Sequence, residues 1–197
     1  MARQNLYYII HKPFKVLSQF SNEGDNVGLK EIYSDLPRDV YPVGRLDLDS
    51  EGLLILTNDK SLNNRLLNPK FNHKRTYWVE VDGAPDNESL EMLRSGVEIN
   101  VNGKAHHTKS AKVEVITPNI AERLPPVNYK KHPHRTWLQI ELTEGKNRQV
   151  RRMTAKAGHP TLRLVRVAIE QLKLQPLKSG EITQISEKVI YKKLNLL

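Results

Sequence analysis

Residues 136–142, TWLQIEL, alternate polar and apolar side chains, and this pattern constrains the fold more than any other feature of the sequence. Successive side chains of an extended strand point to opposite faces, so Leu138, Ile140 and Leu142 should share one buried face. A strand with one polar face is typical of an antiparallel sheet. The segment therefore predicts a sheet that packs on a core from one side.

Residues 97–101 alternate in the same way and end at Asn102-Gly103. This dipeptide favours a two-residue hairpin turn, because both of its residues accept a left-handed backbone. We expect the returning strand near residues 112–116, KVEVI.

The remaining pattern has short strands and a few helices, without the regular alternation that predicts a parallel sheet. Further strands are expected at residues 6–11, 53–56 and 76–83, and helices at residues 61–67 and 85–96. Residues 118–135 contain four prolines and are predicted to form a long basic loop. The predicted class is α+β with a largely antiparallel sheet.

The composition of residues 1–197 fits one large domain or two tightly joined subdomains. The chain has no cysteine, which excludes disulfides, thiolate metal sites and cysteine nucleophiles. No apolar run approaches the roughly 20 residues of a membrane span, and the N-terminal segment lacks a signal-peptide pattern. We therefore expect a cytoplasmic protein that does not bind membranes. Nothing in the sequence indicates a coiled coil, so we expect a monomer.

Lys and Arg number 31 against 22 Asp and Glu, which gives a net charge of +9 and favours a polyanionic partner. Residues 146–166 hold seven of these cations and no acid. Asn147 is expected to cap a helix there, with Val150, Met153 and Ala157 turned inward. The opposite face would present Arg148, Arg152 and Lys156 to successive phosphates of RNA or DNA. A solvated helix face is the alternative.

The most acidic stretch is residues 43–59, VGRLDLDSEGLLILTND. Asp47, Asp49, Glu51 and the following glycine match four positions of a calcium-binding EF-hand loop. The twelfth position must supply a bidentate carboxylate, but Asn58 stands there. The pattern therefore disfavours calcium.

The histidine pairs at residues 106–107 and at 132 and 134 have no carboxylate cluster near them in the sequence. A metal site needs three or four converging ligands. We predict no metal.

Four segments together resemble the signature segments of a known family, and they are HKPFKVLSQF, GRLDLDSEGLLILTND, RTYWVEVDG and EGKNRQVRRMTAKAG. The family is the RNA pseudouridine synthases, in the branch named after the small-ribosomal-subunit enzyme. The resemblance covers nearly the whole chain and is weakest at residues 118–135. It implies a bent, mainly antiparallel sheet flanked by helices, with two subdomains around a basic cleft. It also implies no separate N-terminal RNA-binding domain.

The resemblance implies isomerisation of one uridine in ribosomal RNA, most of all large-subunit RNA, without a cofactor. Asp47 matches the catalytic carboxylate, which acts as a nucleophile or as a glycal-forming base, and family chemistry leaves open whether it attacks the ribose or the uracil ring. Phosphates around Asp47 would disfavour its charged form, so a fixed cation beside it is required, and Arg151 matches that position. Tyr77 matches the tyrosine that stacks on the target base, although strand packing is the alternative for an aromatic in this run.

Further cations have RNA-binding roles in this interpretation. Arg45 would replace the extruded base or clamp a phosphate. Arg75 stands where the family usually has Lys, and the charge is kept. The expected phosphate contacts are Lys146, Arg148, Arg152 and Lys156. Asp49 and Glu51 are expected to brace the acidic loop.

Two other classes remain. A noncatalytic RNA-binding or ribosome-associated module would use the same basic helix but would have no use for Asp47. A glycosidase-like hydrolase would need a second carboxylate across the bond, and no other acid in the sequence stands out for that role. The sequence leaves open which uridine is modified, and whether the substrate is naked RNA or an assembling subunit.

Overall fold

The structure is a computed structural model that describes residues 4–197. Residues 1–3, the start of the segment without a signal-peptide pattern, lie outside the described residues. The strands of the described chain are β1 (Tyr7–Lys12), β2 (Tyr41–Pro42), β3 (Glu51–Thr57), β4 (Arg75–Asp82), β5 (Glu98–Val101), β6 (Lys104–His107), β7 (Lys112–Ile116), β8 (Arg135–Leu142), β9 (Thr161–Ile169), β10 (Leu172–Lys173) and β11 (Ile182–Gln184). The helices are α1 (Lys60–Leu67), α2 (Asn87–Ser95), α3 (Gln149–Lys156) and α4 (Glu187–Lys193), with short 3₁₀ turns at Leu29–Glu31 and Pro69–Phe71. Between residues 4 and 197, no helix is both long and apolar enough to cross a membrane.

The chain divides into two compact units. Unit 1 contains the chain up to His73 together with Arg166–Leu197, and unit 2 contains Lys74–Val165. Strand β9 runs from unit 2 into unit 1, so each unit includes part of it. The mixture of strands and helices confirms the predicted α+β class.

In unit 1 the strand order is β11-β1-β3-β9, and β2 pairs with the C-terminal end of β3. Strand β1 is antiparallel to β3 from Tyr7↔Thr57 to Lys12↔Gly52. Every residue of β3 is buried, which explains its continuous apolar run instead of an alternating one. A core cluster on this sheet contains Ile10, Val16, Leu29, Tyr33, Val40, Leu46, Leu54 and Leu56.

In unit 2 the strand order is β9-β4-β8-β7. Strands β4 and β8 are antiparallel over their whole length, from Arg75↔Leu142 to Asp82↔Arg135. Leu138, Ile140 and Leu142 are buried, so the predicted face of this strand is confirmed. Helix α2 packs its leucines into the same core, and the predicted helix over residues 85–96 is confirmed.

The hairpin turn is confirmed, but the predicted returning strand is wrong. Asn102 and Gly103 both have positive φ, 53° and 81°, as the favoured two-residue turn requires. The strand that returns is β6, which pairs with β5 from Glu98↔His107 to Val101↔Lys104. Residues 112–116 form β7, which pairs with β8 instead. The turn uses only two residues, so the partner strand must begin at once.

Unit 1 is held together by a buried carboxylate, Asp59, at the start of α1. Its Oδ2 atom accepts hydrogen bonds from the hydroxyls of Tyr7 on β1, at 2.8 Å, and Tyr191 on α4, at 2.6 Å. Its Oδ1 atom accepts from the backbone N–H groups of Ser61 and Leu62, which caps α1. Burial by itself would raise the pKa of Asp59, but these hydrogen bonds outweigh it and hold the pKa below its ordinary value.

Tyr191→Phe should lower the free energy of unfolding by about 1.5–3 kcal/mol near pH 7, because it removes a hydrogen bond to a charged group. A lowered carboxyl pKa contributes stability above its unfolded value of about 3.9, and this contribution is lost as the pH falls through the folded pKa. The deficit of the variant should therefore shrink in acid. Urea unfolding at several pH values measures both effects.

The control is Tyr33→Phe, which removes another buried hydroxyl of unit 1. No described residue hydrogen-bonds to the Tyr33 hydroxyl, so its removal should leave the stability equal or slightly higher. Equal losses in the two variants would contradict a stabilising role of the Asp59 network.

Candidate active site

Asp47 lies on the loop between β2 and β3, residues 43–50, which is here named the acidic loop. This loop is fixed through its backbone. The Ser18 hydroxyl donates to the carbonyl of Leu46 at 2.8 Å and accepts from the Leu46 N–H at 2.9 Å. Ser50 N–H donates to the carbonyl of Asp47, which closes a turn, and Lys15 N–H donates to the carbonyl of Leu48. Asp47 is half-buried at the rim of this turn. Its position is therefore set on both sides by contacts that do not use its carboxylate.

Under the acidic loop lies Lys12, which is 0% exposed. Its ammonium group donates to the carbonyls of Pro13 at 3.0 Å and Val16 at 2.6 Å. Burial lowers the pKa of Lys12 to about 8, while the carboxylates of Glu51, Asp49 and Asp47 act in the opposite direction and favour its charged form. The acidic cluster therefore lies in the electrostatic field of a buried cation.

Lys12 is a buried cation near the acidic loop that the sequence analysis did not predict. It lies on the same face of β1 as the buried Ile10, two positions earlier. The signal that could have indicated Lys12 is a charged residue at a position of the strand where apolar residues face the core. The expectation that Glu51 braces the loop agrees with its burial, since Glu51 is 1% exposed.

Gly52, next to Glu51, lies directly against strand β9. Its φ is +109°, and a Cβ atom placed on it would be 2.3 Å from the carbonyl oxygen of Arg166. Arg166 is itself buried, and its Nε atom donates to the carbonyl of Leu53 at 2.8 Å. The glycine of the apparent calcium motif is thus required by the close approach of two backbones.

The basic segment at residues 146–166 divides into buried and exposed cations. Arg163 and Arg166 are buried, and Arg163 donates to the carbonyl of Ala121 at 2.9 Å. Lys146, Arg148 and Lys156 are exposed. The charge that can meet a phosphate is therefore smaller than the count of cations indicates.

The predicted start of helix α3 is wrong by one residue. The helix begins at Gln149, and Arg148 precedes it in a left-handed conformation with φ 51°, without a side-chain cap. Asn147 does not cap the helix, because Arg148 occupies the N-cap position, and the Asn147 side-chain oxygen accepts a bond from Arg152 instead. The predicted inward residues Val150, Met153 and Ala157 are buried, as expected.

The structure places the three predicted catalytic residues on different elements. Asp47 lies on the acidic loop of unit 1. In unit 2, Tyr77 is half-buried on β4, where it packs against the core cluster, and Arg151 is half-buried on α3 with a 3.5 Å contact to the carbonyl of Thr161. The pairing of Arg151 with Asp47 stays a prediction.

The predicted RNA-binding cations differ in exposure. Arg45 is exposed beside the acidic loop, and Arg75 is half-buried at the start of β4. Arg152 is half-buried, and its guanidinium donates to the carbonyl of Asn147 at 3.1 Å and to that of Asn100. Among residues 4–197, no three His, Asp or Glu side chains group as a metal site requires.

Comparison with known proteins decides the family. Residues 6–156 match the family model of RNA pseudouridylate synthases. The chain belongs to this family. The predicted resemblance and the predicted enzyme class, an isomerase acting on RNA, are thereby confirmed.

Relatives of this pseudouridine synthase carry more specific names. "Ribosomal large subunit pseudouridine synthase E" of Vibrio parahaemolyticus is 50% identical over 179 residues, which are 90% of this chain and 72% of the relative. The protein of the same name from Xanthomonas axonopodis pv. citri is 48% identical over 171 residues, 86% of this chain and 88% of the relative. A solved pseudouridylate synthase aligns with a TM-score of 0.77 at 26% identity, covering 96% of this chain and 74% of that one. The predicted fold of the synthase is confirmed.

Lys12→Met should change how the stability of the synthase depends on pH. Folded Lys12 loses its proton at about pH 8, whereas the ordinary value is 10.5. Between these values the unfolded chain binds more protons, so wild-type stability should rise relative to the variant by up to about 1.4 kcal/mol per pH unit. Denaturant unfolding at pH 7 to 10 measures the difference.

The control is Lys15→Met, which removes an exposed lysine from the same segment. If the difference in the free energy of unfolding between the wild type and Lys12→Met stays constant over this pH range, burial does not lower the pKa of Lys12.

Proposed function

We propose that this pseudouridine synthase converts one uridine of large-subunit ribosomal RNA to pseudouridine, with Asp47 as the reacting carboxylate. The observation that carries the proposal is the acidic loop, where the Ser18 hydroxyl and backbone hydrogen bonds hold the main chain on both sides of the half-buried Asp47. The substrate class is supported by relatives named ribosomal large subunit pseudouridine synthase E at 45–50% identity.

The reaction needs no atom from outside the substrate. The bond between the uracil N1 atom and the ribose C1′ atom breaks, the ring turns, and C5 bonds to C1′. The C5 proton leaves to solvent, and N1 takes up a proton. Asp47 either attacks the substrate, at the ribose or at the uracil ring, or removes a ribose proton as a base, and each route requires its charged form.

Two groups would keep Asp47 charged near phosphates. The buried ammonium group of Lys12 contributes its field within unit 1. Arg151 is the proposed direct partner, because its guanidinium can hold a carboxylate at two points and keeps its proton. The substrate uracil would stack on Tyr77, whose ring is only partly covered by the core.

The target uridine must leave its stack to be reached, at an expense of a few kcal/mol. Exposed Arg45 is suited to fill the space that the extruded uracil leaves in the stack, or to hold a neighbouring phosphate. Arg75, Lys146, Arg148, Arg152 and Lys156 are the proposed contacts to the RNA backbone. The proposed working form is a monomer in the cytoplasm, built as one catalytic domain that acts on naked RNA or on an assembling subunit.

Asp47→Asn should abolish the release of tritium from large-subunit ribosomal RNA labelled at uracil C5. The amide can neither act as a nucleophile nor as a base, so we expect a loss of roughly a thousandfold or more. Asp25→Asn, which changes an exposed acid of unit 1 in the same way, is the control. If the wild type binds the RNA but releases no label, the chain acts as a noncatalytic module and the proposal is wrong.

Arg148→Ala should weaken binding of the same RNA and reduce the slope of log K against log salt by about 0.7–0.9, the amount for one lost phosphate contact. Filter binding at a series of salt concentrations measures the slope. Lys188→Ala, which removes an exposed cation from α4, is the control. An unchanged slope for Arg148→Ala would show that this guanidinium does not meet a phosphate.

A further inference from the structure

Glu144 is a buried acid that the proposed chemistry does not use. It lies between β8 and the four residues 145–148, here named the basic loop, and its side chain is 9% exposed. Its carboxylate accepts from the backbone N–H of Lys109 at 2.8 Å, from Gln149 Nε2 at 2.7 Å and from His106 Nε2 at 3.1 Å. Burial would raise the pKa of Glu144, but these three donors outweigh it and lower the pKa. Two separate segments of unit 2, the basic loop with the first residue of α3 and the β5–β6 hairpin with the residues just after it, therefore converge on one charged group.

The first of these segments is the basic loop. Gln149, which is 4% exposed, donates to Glu144 and accepts from the backbone N–H of Lys146 at 2.9 Å. The loop is thus held at both of its ends by one side-chain pair. Arg148 completes it in a left-handed conformation, which is unfavourable for a residue other than glycine. Side-chain contacts must hold this backbone, because its intrinsic preference opposes it.

The second segment is the β5–β6 hairpin. His106 on β6 donates to Glu144, and the chain just after the hairpin is held through Lys109 N–H. On the other strand, the carbonyl of Asn100 accepts from Arg152 of α3. Both strands of the hairpin are therefore connected to the segment that carries the basic loop.

The basic loop presents positive charge, and the hairpin presents one exposed cation and one exposed acid, Glu98, which lines the pocket described below. Lys104 is exposed on β6, Lys146 and Arg148 are exposed on the loop, and Lys156 is exposed on α3. An open pocket of about 560 Å³ lies between the hairpin and α3, and Arg152 and Lys156 are among its lining residues. Cations on connected elements can follow a continuous run of phosphates only if their spacing is fixed.

We infer that Glu144 is a positioning residue that holds the β5–β6 hairpin and the basic loop as one RNA-binding surface. The hairpin thereby becomes part of the RNA interface, with Lys104 as an additional phosphate contact. This inference rests on the proposed function, because it takes the RNA of that reaction as the ligand.

A double-mutant cycle tests the role of Glu144. Glu144→Gln keeps the shape of the side chain but removes its charge, and it should weaken RNA binding about tenfold, while Arg148→Ala alone weakens it about fivefold. If Glu144 acts by placing Arg148, the double variant should lose only about tenfold, far less than the product of the two single losses. Losses that multiply would overturn the inference.

The matched control is Glu170→Gln in unit 1. Glu170 is also a buried acid, 11% exposed, that pairs with a histidine, His73, and with an amide, Asn195. The two Glu→Gln variants should lower the melting temperature by similar amounts. Only Glu144→Gln should raise KM for RNA more than it lowers kcat. A specific role of Glu144 would be contradicted if Glu170→Gln also weakened RNA binding and if this loss were not additive with that of Arg148→Ala.

A second cycle covers the case in which Glu144→Gln does not fold. His106→Ala removes the side-chain contact from the hairpin to Glu144 at a partly exposed position and leaves the contact between Glu144 and Gln149 in place. Its effect on RNA binding should be coupled to that of Lys104→Ala. Independent effects, or no effect of Lys104→Ala on binding, would remove the hairpin from the interface.

The tritium-release assay separates this inference from the proposed function. If the wild type releases tritium and Asp47→Asn does not, the proposed reaction is supported, independently of the coupling that the double-mutant cycles measure. If the wild type binds the RNA without releasing label, the reaction fails while coupled binding losses still support the role of Glu144.

Discussion

The acidic loop of unit 1 is constrained by one buried charge, the ammonium group of Lys12. A charge removed from water must be met by opposite charge and by hydrogen-bond acceptors, or it will lose its proton. Two backbone carbonyls and three nearby carboxylates provide both around Lys12. Three acids of the acidic stretch in this basic protein therefore favour the charged form of the buried lysine. Glu51 and Asp49 balance charge, and Asp47 is the one acid proposed to react.

Unit 2 uses a comparable arrangement with the signs exchanged. There the buried group is the carboxylate of Glu144, and its partners are donors from a strand, a loop and a helix. In both units a buried ionised side chain fixes an irregular segment that local backbone preferences would leave undetermined. The regular strands supply the frame, and the buried charges place the loops on it.

Patterns that depend on near neighbours could be predicted from the sequence. The buried face of residues 136–142 and the turn at Asn102-Gly103 follow from side-chain alternation and from local backbone preference. The partner of β5 could not be chosen by alternation, because residues 112–116 have the same pattern as a returning strand. The helix start was misplaced because Arg148 adopts a conformation that tertiary contacts impose against its own preference.

The candidate site was less predictable. Asp47, Tyr77 and Arg151 were predicted through family resemblance and stay predictions, since spacing alone also fitted part of a calcium loop. Lys12 was missed because a lysine at the end of a strand usually lies in solvent. The two buried arginines were counted with the exposed ones, because charge along a sequence carries no information about burial.

Gly52 shows how a signature segment can mix two kinds of requirement. Glycine is required at position 52 because β3 lies against the backbone of Arg166 there, and this contact leaves no volume for a side chain. A search pattern that contains both Asp47 and Gly52 will therefore retrieve proteins that share this strand contact even where the reacting acid has been lost. Assigning activity to such proteins requires the acid itself to be inspected, separately from the glycine.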